Sequence, residues 1–392
     1  MMKFPLLDLK AQYESIEKEL KERVSEVLDS QIFILGAEVK ALEEELSAYV
    51  GAKYALGVSS GSDALIISLM ALQVGQGDSV VTTPFTFFAT GGAIARLGAK
   101  PVFCDIEPNT FNIDTQKLAE LLELEIEKKG NAQIKGILPV HLYGQCVDMK
   151  PIQSLAEKYD LFVLEDAAQA VGSEYLMDSE VKRACTLGDL GILSFYPAKN
   201  LGACGDAGMV LTNNQNLVDR MRLLRVHGSS NKYMYDILGG NFRMDAIQAT
   251  VLRIKLKHLD SWMVGRQQKA LIYDGLFREA GLVENGLIQT PEAVYRDKGI
   301  KYFHTYHQYV IRAESRNDLQ LYMREKGVPS AIFYPMPLHL QKCFAYLAYK
   351  EGDFPESEKA ASEVLALPIY PELSEMNQEL VVTTIKDFYA DR

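Results

Sequence analysis

Residues 160–172 read DLFVLEDAAQAVG, and this stretch decides the fold class. It starts with a short apolar run from Phe162 to Leu164, which is typical of a buried β-strand. Glu165 and Asp166 follow at the carboxyl end of that strand, where open α/β sheets bind their ligands. Neighbouring strand residues point to opposite sides, so only one of the two acids needs to enter a binding cleft.

Similar apolar runs lie on both sides of this strand and are separated by helical stretches. The alternation of strands and helices from Gly51 to residue 211 predicts a large doubly wound α/β domain with a mostly parallel sheet. Pro151 is expected at the first position of one of these helices.

Near residue 244 the alternation of strands and helices ends, and a long helical stretch with a break follows. The elements expected after it are a strand at 307–312, a helix at 318–326 and a strand at 331–334. We therefore expect the large domain to cover residues 1–269 and a smaller C-terminal α+β domain to cover residues 270–392.

The composition excludes several classes of protein. Of the 392 residues, 48% are hydrophobic and 24% are charged, which is typical of a globular protein and not of a disordered or fibrous one. The 41 basic and 52 acidic residues give a net charge of −11, which disfavours a nucleic-acid partner. No apolar run approaches the ~20 residues of a membrane span, and Asp8 and Lys10 interrupt the N-terminal segment, so we expect a cytoplasmic protein with no membrane partner.

The remaining common motifs are missing as well. The five cysteines are scattered without a CxxC pair, which disfavours disulfides and structural zinc. His304 and His307 lie three residues apart but lack a third ligand, so we expect no metal. GxGxxG, GxxxxGK[ST] and HExxH do not occur, which disfavours a dinucleotide-dependent dehydrogenase in particular.

Residues 58–65, VSSGSDAL, place Gly61 and Ser62 at the predicted start of an apolar helix. Free backbone N–H groups and the helix dipole favour an anion at such a position, so this is a candidate phosphate site. The alternative is a simple serine N-cap.

Residues 194–210, SFYPAKNLGACGDAGMV, place Lys199 in a glycine-rich loop after another strand. A lone loop lysine is usually a surface charge, whereas a lysine beside an aldehyde can act as a nucleophile. A phosphate cradle, a carboxylate at a strand end and a nearby lysine are together what pyridoxal 5'-phosphate (PLP) requires.

In this order, the motifs resemble those of the DegT family of nucleotide-sugar aminotransferases, which are fold-type-I PLP enzymes of the aspartate-aminotransferase superfamily. The resemblance is carried by VSSGSDAL, EDAAQ, SFYPAKNLG, CGDAGM and GGNFRMD, and runs from LDLKAQY near the start to LPIYPEL near the end. It implies PLP as cofactor, pyridoxamine 5'-phosphate as its aminated form, and a homodimer with shared active sites. It also implies that an amino group moves from L-glutamate to a keto sugar on a nucleotide-linked hexose, for instance in polysaccharide biosynthesis.

The resemblance further implies roles for individual residues. Lys199 matches the Schiff-base lysine that later carries a proton, and Asp166 matches the acid that pairs with the pyridinium nitrogen. An ordinary lysine has a pKa of about 10.4, so cofactor binding and a shifted pKa must produce the free amine. The other expected cofactor contacts are Gln169 near the phenolic oxygen, Phe87 against the pyridine ring, Gly61, Ser62, Asp63 and Ser194 around the phosphate, and Asn241 on the phosphate of the neighbouring subunit.

Several of these positions keep an alternative. One of Phe87 and Phe88 is expected to belong to the core, and His141 either borders the pocket or is structural. The expected substrate contacts are Tyr334, His339, Arg243, which has Asp245 as an alternative partner, and His227, which opens a loop at 229–236 that closes over the substrate.

The stretches expected to face the sugar look more like the branch of the family that aminates carbon 3, especially PMPLHLQ with His339 and the turn GGNFRMD. We therefore expect a UDP- or dTDP-linked 3-keto hexose as substrate. The alternatives are a 4-keto sugar, a PLP-binding sugar dehydratase and a regulatory protein of the same family. One branch removes a hydroxyl and has His in place of the lysine, so Lys199 favours transamination.

Overall fold

The computed structural model describes residues 2–129 and 133–390. The strands in these ranges are β1 (Tyr54–Val58), β2 (Ser79–Thr82), β3 (Lys100–Phe103), β4 (Ile134–Ile137), β5 (Phe162–Asp166), β6 (Glu174–Met177), β7 (Glu180–Arg183), β8 (Leu190–Ser194), β9 (Gly208–Thr212), β10 (Ser229–Asn231), β11 (Met234–Tyr235), β12 (Ile288–Gln289), β13 (Tyr309–Ala313) and β14 (Val364–Leu367).

The α-helices in the same ranges are α1 (Leu9–Glu14), α2 (Glu17–Ser30), α3 (Gly36–Val50), α4 (Gly61–Ala71), α5 (Phe88–Arg96), α6 (Thr115–Leu122), α7 (Met149–Tyr159), α8 (Gln215–Leu224), α9 (Ala246–Leu256), α10 (Leu259–Glu279), α11 (Arg316–Glu325), α12 (Pro355–Glu363) and α13 (Glu375–Ala390). A π-helical turn covers Glu123–Lys128, and 3₁₀ turns cover Leu142–Gly144, Leu338–Leu340 and Lys342–Leu347. No helix in the part of the chain that the structure describes is long and apolar enough to cross a membrane.

A seven-stranded sheet in the order β1-β9-β8-β5-β4-β2-β3 forms the centre of the molecule. Strand β9 runs antiparallel to both of its neighbours, and the other adjacent pairs are parallel. Because side chains alternate along a strand, Val163 and Leu164 enter two different hydrophobic cores on the two faces of the sheet. The predicted doubly wound, mostly parallel sheet is therefore confirmed.

A second, smaller sheet follows in the chain. Strands β12, β13 and β14 are antiparallel, and α11 and α13 pack beside them. Their hydrophobic core also contains Ala270, Tyr273 and Phe277 from the second half of α10, together with Phe4. The division of the chain into domains at residue 270 stays a prediction.

Two local expectations are wrong. Residues 331–334 do not form a strand, and only Ala331 makes an isolated bridge, to Ala366. Pro335 and Pro337 follow directly and have no N–H to donate to a sheet, which explains the early stop. Pro151 is the third residue of α7 and not the first, because Asp148 already occupies the N-cap position. The break in the long helical stretch is confirmed, between α9 and α10.

Glu165 and Asp166 point to opposite sides of β5, as predicted. The Glu165 carboxylate is completely buried and accepts hydrogen bonds from the backbone N–H groups of Cys185, Leu187 and Gly188. The Val147 N–H donates to Nδ1 of His141, so the other ring nitrogen carries the proton and donates to Glu165 (2.9 Å). His141 is therefore a structural residue that helps to anchor the end of β5.

Replacing Glu165 should destabilise the fold strongly. Glu165→Ala leaves four donors without an acceptor, three of them buried, so we expect the free energy of unfolding to fall by about 3–5 kcal/mol, measured by urea unfolding. Glu157→Ala on the exposed face of α7 is the control and should change it by less than about 0.5 kcal/mol. Equal urea midpoints of unfolding for Glu165→Ala and Glu157→Ala would contradict this structural role of Glu165.

Candidate active site

A cleft of about 630 Å³ lies at the carboxyl ends of the parallel strands. Asp166 at the end of β5 and Ser194 at the end of β8 form part of its wall, and the segments that follow β2 and β4 contribute Thr86 and Val140. Because these strands are neighbours in the sheet, residues far apart in the sequence meet at this edge.

Asp166 is the buried acid of the cleft. Its carboxylate accepts hydrogen bonds from the Thr90 hydroxyl (2.9 Å) and from the backbone N–H of Ala168 (3.1 Å). Burial raises the pKa of Asp166, while these two hydrogen bonds and the positive charge of Lys199 act in the opposite direction. A cationic group placed against this carboxylate would supply the opposite charge that favours its ionised form.

Lys199 lies in the turn after β8 and faces the same cleft. Its backbone N–H donates to the carbonyl of Tyr196 (2.8 Å), which fixes the turn. Burial lowers the pKa of Lys199 to about 8, and the negative charge of Asp166 partly opposes this effect. At pH 7 about one amine in ten is then neutral, against fewer than about one in a thousand for an ordinary lysine.

The N-terminus of α4 forms another part of the cleft. Ser60 caps the helix, since its side chain accepts from the N–H of Asp63 and its carbonyl accepts from the N–H of Ala64. The N–H groups of Gly61 and Ser62 precede the first intrahelical donors, and both residues line the cleft. Together with the dipole of α4 they form an anion site.

Two glycines allow this helix end to approach the sheet closely. A Cβ on Gly61 would lie 2.6 Å from the Cβ of Ser194, and a Cβ on Gly208 would lie 2.4 Å from the carbonyl carbon of Ser60. No other residue fits at either position without moving the backbone of its neighbours. The serine hydroxyls of this corner are thereby held beside the free N–H groups.

Aromatic side chains and an amide cover the remaining walls of the cleft. Phe87 is 56% exposed and lies 6.2 Å from the ring of Tyr334. Phe88 is also exposed and packs on Phe344, so the expectation that one of the two phenylalanines belongs to the core is wrong. Gln169 donates to the Tyr334 hydroxyl (3.0 Å), which holds that ring at the cleft.

The predicted site residues therefore divide into two groups. Those that line the cleft are Gly61, Ser62, Phe87, Asp166, Gln169, Ser194, Lys199 and Tyr334. Those that do not line the cleft of their own chain are Asp63, His227, Asn241, Arg243 and His339.

Hydrogen bonds and burial explain why three residues that do not line the cleft lie outside it. The Asp63 carboxylate accepts from the Ser59 hydroxyl (2.6 Å) and so serves the helix start. The His339 side chain is fully buried and contacts Glu358 (3.0 Å), so a sugar contact by His339 has no support in this structure. Arg243 donates to the side chain of Asn241 (2.8 Å), not to its alternative partner Asp245.

Several cleft residues were missed by the sequence analysis. They are Leu6, Leu7, Ser60, Thr86, Tyr196, Arg266, His307 and Gln308, together with Thr90, which contacts Asp166 from outside the lining. Thr86 and Thr90 lie within residues 83–90, TPFTFFAT, and their hydroxyls were a usable signal. Arg266 and His307 carried no such signal, because they come from the distant α10 and from the segment before β13.

These residues fit PLP. The free N–H groups of α4 suit its phosphate, Asp166 suits a protonated ring nitrogen, and Lys199 has an amine whose pKa suits reaction with an aldehyde. The Phe87 ring is exposed to the cleft, so it is free to stack on a planar group.

The chain is similar to known proteins along nearly its whole length. A model of the DegT/DnrJ/EryC1/StrS aminotransferase family matches residues 14–386. The chain is 47% identical over 388 residues to a protein of Geobacillus stearothermophilus described as a pleiotropic regulatory protein, and the match covers 99% of both chains. It is 38% identical over 384 residues to the UDP-N-acetyl-3-dehydro-alpha-D-glucosamine 3-aminotransferase of Acidithiobacillus ferrooxidans, covering 97% of both chains. Among solved structures, S. venezuelae DesV in complex with a ketimine intermediate matches with a TM-score of 0.89 and 35% identity over 100% of both chains.

The lowered pKa of Lys199 should govern how fast the protein captures PLP. Only the neutral amine attacks an aldehyde, so the capture rate of the apoprotein should rise about fivefold from pH 7 to pH 8 and level off above pH 9. The rate is followed by absorbance and compared with that of N-acetyl-lysine methyl amide with PLP, whose ordinary amine should give a rate that rises about tenfold per pH unit over the same range. A rate that keeps rising about tenfold per pH unit up to pH 10 would contradict the shift, and Lys199→Ala gives the background.

Proposed function

We propose a function for this chain from one premise: the chain belongs to the DegT/DnrJ/EryC1/StrS aminotransferase family. It is a PLP-dependent aminotransferase that acts on a nucleotide-linked keto sugar. The proposal adds that L-glutamate is the donor, that the amine goes to carbon 3 of a UDP- or dTDP-linked 3-keto hexose, and that the product serves polysaccharide biosynthesis. The observation that carries it is the meeting of Lys199, Asp166 and the α4 N-terminus in one cleft.

Each of these groups has a chemical task in the proposal. When bound, PLP supplies an electron sink for the charge that develops as the α-carbon of the donor loses its proton. Asp166 keeps the ring nitrogen protonated, and the N–H groups of Gly61 and Ser62 bind the phosphate. Lys199 would hold the aldehyde of the cofactor and would move the proton of the donor's α-carbon, for which a pKa of about 8 is well suited near neutral pH.

The choice of carbon 3 rests on a relative. The Acidithiobacillus ferrooxidans protein is named for amination at carbon 3 of a UDP-linked sugar, and it matches this chain over nearly its full length. Inside the cleft, Tyr334 is the predicted sugar contact that lies near the Phe87 ring, 6.2 Å away. We propose that the Tyr334 hydroxyl hydrogen-bonds the sugar.

A regulatory role is the second candidate, because the Geobacillus stearothermophilus relative is described as regulatory. A regulator that only binds PLP needs no amine with a lowered pKa beside a buried acid, and this chain has both. A dehydratase is disfavoured by Lys199 itself. Bound PLP without any amino transfer would favour the regulator, and turnover without an amino donor would favour the dehydratase.

We also propose a homodimer with shared active sites. Asn241 is exposed and lies outside its own cleft, although Val58, next to the phosphate corner, forms a bridge with Arg243. The hairpin β10–β11 next to it exposes a cluster of large apolar side chains, which on a protein surface marks an interface. They are Tyr233, Met234, Tyr235 and Leu238.

The reaction is proposed to take place in the cytoplasm. Glutamate and nucleotide-linked sugars are charged, and charged molecules do not cross a lipid bilayer unaided.

Matched sugars test the position of amination. With glutamate as donor, we expect kcat/KM for a 3-keto nucleotide sugar to exceed that for its 4-keto isomer by at least about 100-fold, because a wrong pose leaves buried polar groups unpaired. Mass spectrometry and NMR of the product identify the aminated carbon, and Lys199→Ala is the inactive control. A preference for the 4-keto isomer would show that the carbon-3 proposal is wrong.

Removing the Tyr334 hydroxyl tests the proposed sugar contact. Tyr334→Phe should raise KM for the keto sugar about 10-fold and leave the absorbance of the bound cofactor unchanged, because one hydrogen bond to the substrate is lost. An unchanged KM would argue against this contact.

Mixed subunits test the shared site. When Lys199→Ala and Asn241→Ala subunits exchange at random, half of the dimers are hybrids with one intact site each, so we expect about a quarter of the wild-type activity. The separate mutants should be nearly inactive. A protein that is active as a monomer, or confirmed hybrids without activity, would refute the shared site.

A further inference from the structure

Arg266 on α10 is buried but faces the cleft. Its side chain is 4% exposed and forms part of the cleft wall. One nitrogen, Nη1, donates to the backbone carbonyls of Tyr306 (3.0 Å), His307 (3.4 Å) and Ile369 (2.9 Å). These three bonds hold one edge of the guanidinium group in place.

The other edge of Arg266 has no partner. Across residues 2–129 and 133–390, neither Nε nor Nη2 makes a hydrogen bond, and no carboxylate lies within 4.0 Å of the group. Glu372 acts on it only at longer range. Burial lowers the pKa of Arg266 to about 10, so the group stays charged at neutral pH and keeps an uncompensated positive charge in the cleft wall.

Arg316 is buried to a similar degree and shows what a purely structural arginine does in this chain. Its Nε donates to the Asn317 side chain (2.8 Å), Nη1 to the Val364 carbonyl (2.6 Å) and Nη2 to the Ala361 carbonyl (2.8 Å). All three nitrogens are used, and Arg316 does not line the cleft. The free edge of Arg266 is therefore not a general consequence of burial.

Arg266 lines the same cleft as Lys199 and contacts the backbone of His307, which also lines it. Burial lowers the pKa of His307, and the positive charges of Lys199 and Arg266 lower it further. Its Nδ1 hydrogen-bonds Asn200 (3.3 Å), the neighbour of Lys199 in the chain. The imidazole is therefore neutral, and the positive charge in this region comes from Lys199 and Arg266.

We propose that Arg266 binds a carboxylate of the amino donor, an inference that rests on the proposed function. The Nε and Nη2 hydrogens of a guanidinium form a parallel pair that matches the two oxygens of a carboxylate. The donor must place its amine near Lys199, and its carboxylates are within a few bonds of that amine. The diphosphate of the sugar nucleotide is too bulky for a group that is 4% exposed, and the cofactor phosphate already has the α4 site.

The test separates the two half-reactions of the holoenzyme. In Arg266→Lys, the rate constant divided by the apparent Kd for glutamate, followed by cofactor absorbance, should fall about 10- to 150-fold, the loss expected for a charged hydrogen-bond pair. The half-reaction of the aminated enzyme with the keto sugar should change less than about threefold. Wild-type reaction with glutamate tests the proposed function by itself, so failure there is distinguishable from failure of this inference.

Donor analogues identify the carboxylate. Glutamine lacks the γ-carboxylate and 4-aminobutyrate lacks the α-carboxylate, so the difference between wild type and Arg266→Lys should disappear for one of them. Arg316→Lys is the matched control and should leave the ranking of donors unchanged. An equal loss for all donors and for the sugar, or a loss confined to the sugar half-reaction, would overturn the inference.

A binding measurement avoids both catalysis and mutation. Glutarate carries two carboxylates and no amine, and glutaramide has the same length without charge. By calorimetry, the wild-type holoenzyme should bind glutarate at least about 10-fold more tightly than glutaramide. Equal affinity for the two compounds would overturn the inference even if Arg266→Lys failed to fold.

Discussion

The burial of ionised groups at one edge of the parallel sheet is the constraint on which the rest of the structure depends. Strand β5 ends in two adjacent acids, and each is stabilised differently. Glu165 receives four hydrogen bonds from the protein and is thereby satisfied, which fixes the end of the strand. Asp166 receives two, so its carboxylate keeps lone pairs for a group in the cleft. The difference between a structural and a functional acid is thus a difference in how completely the protein satisfies them.

The same rule explains how the cleft is built around these acids. The hydroxyl of Thr90 orients Asp166, and Thr86 lies 3.1 Å from Thr90, so a short polar chain runs behind the acid. Gly61 and Gly208 allow the end of α4 to approach the sheet. The first N–H groups of this helix have no intrahelical partner, and they therefore lie at the cleft. A cleft that was fully satisfied by its own protein would have nothing left with which to bind a charged cofactor.

The sequence was sufficient for the parts that depend on local pattern. Alternating strands and helices predicted the sheet, and the residues of three short motifs, among them Lys199 and Asp166, do line one cleft. It was not sufficient where position depends on tertiary packing. His339 lies in the motif PMPLHLQ and was expected to contact the sugar, yet the ring is buried against Phe354 and Glu358. In the sequence, Arg266 is one of several charged residues on a long helix. Its place in the cleft wall depends on hydrogen bonds to the carbonyls of residues 306, 307 and 369, which are distant in the chain.

The distribution of charge connects the site to its ligands. The chain carries a net charge of −11, and such a surface repels phosphates and carboxylates in general. The cleft differs from that surface, because Lys199, Arg266 and the N-terminus of α4 are gathered there beside two carboxylates, Asp166 and Asp206. In a confined site of low polarity these positive groups act more strongly than they would in water. A net acidic protein can therefore bind anionic ligands in one place. His307 is neutral, so it adds no positive charge beside Lys199.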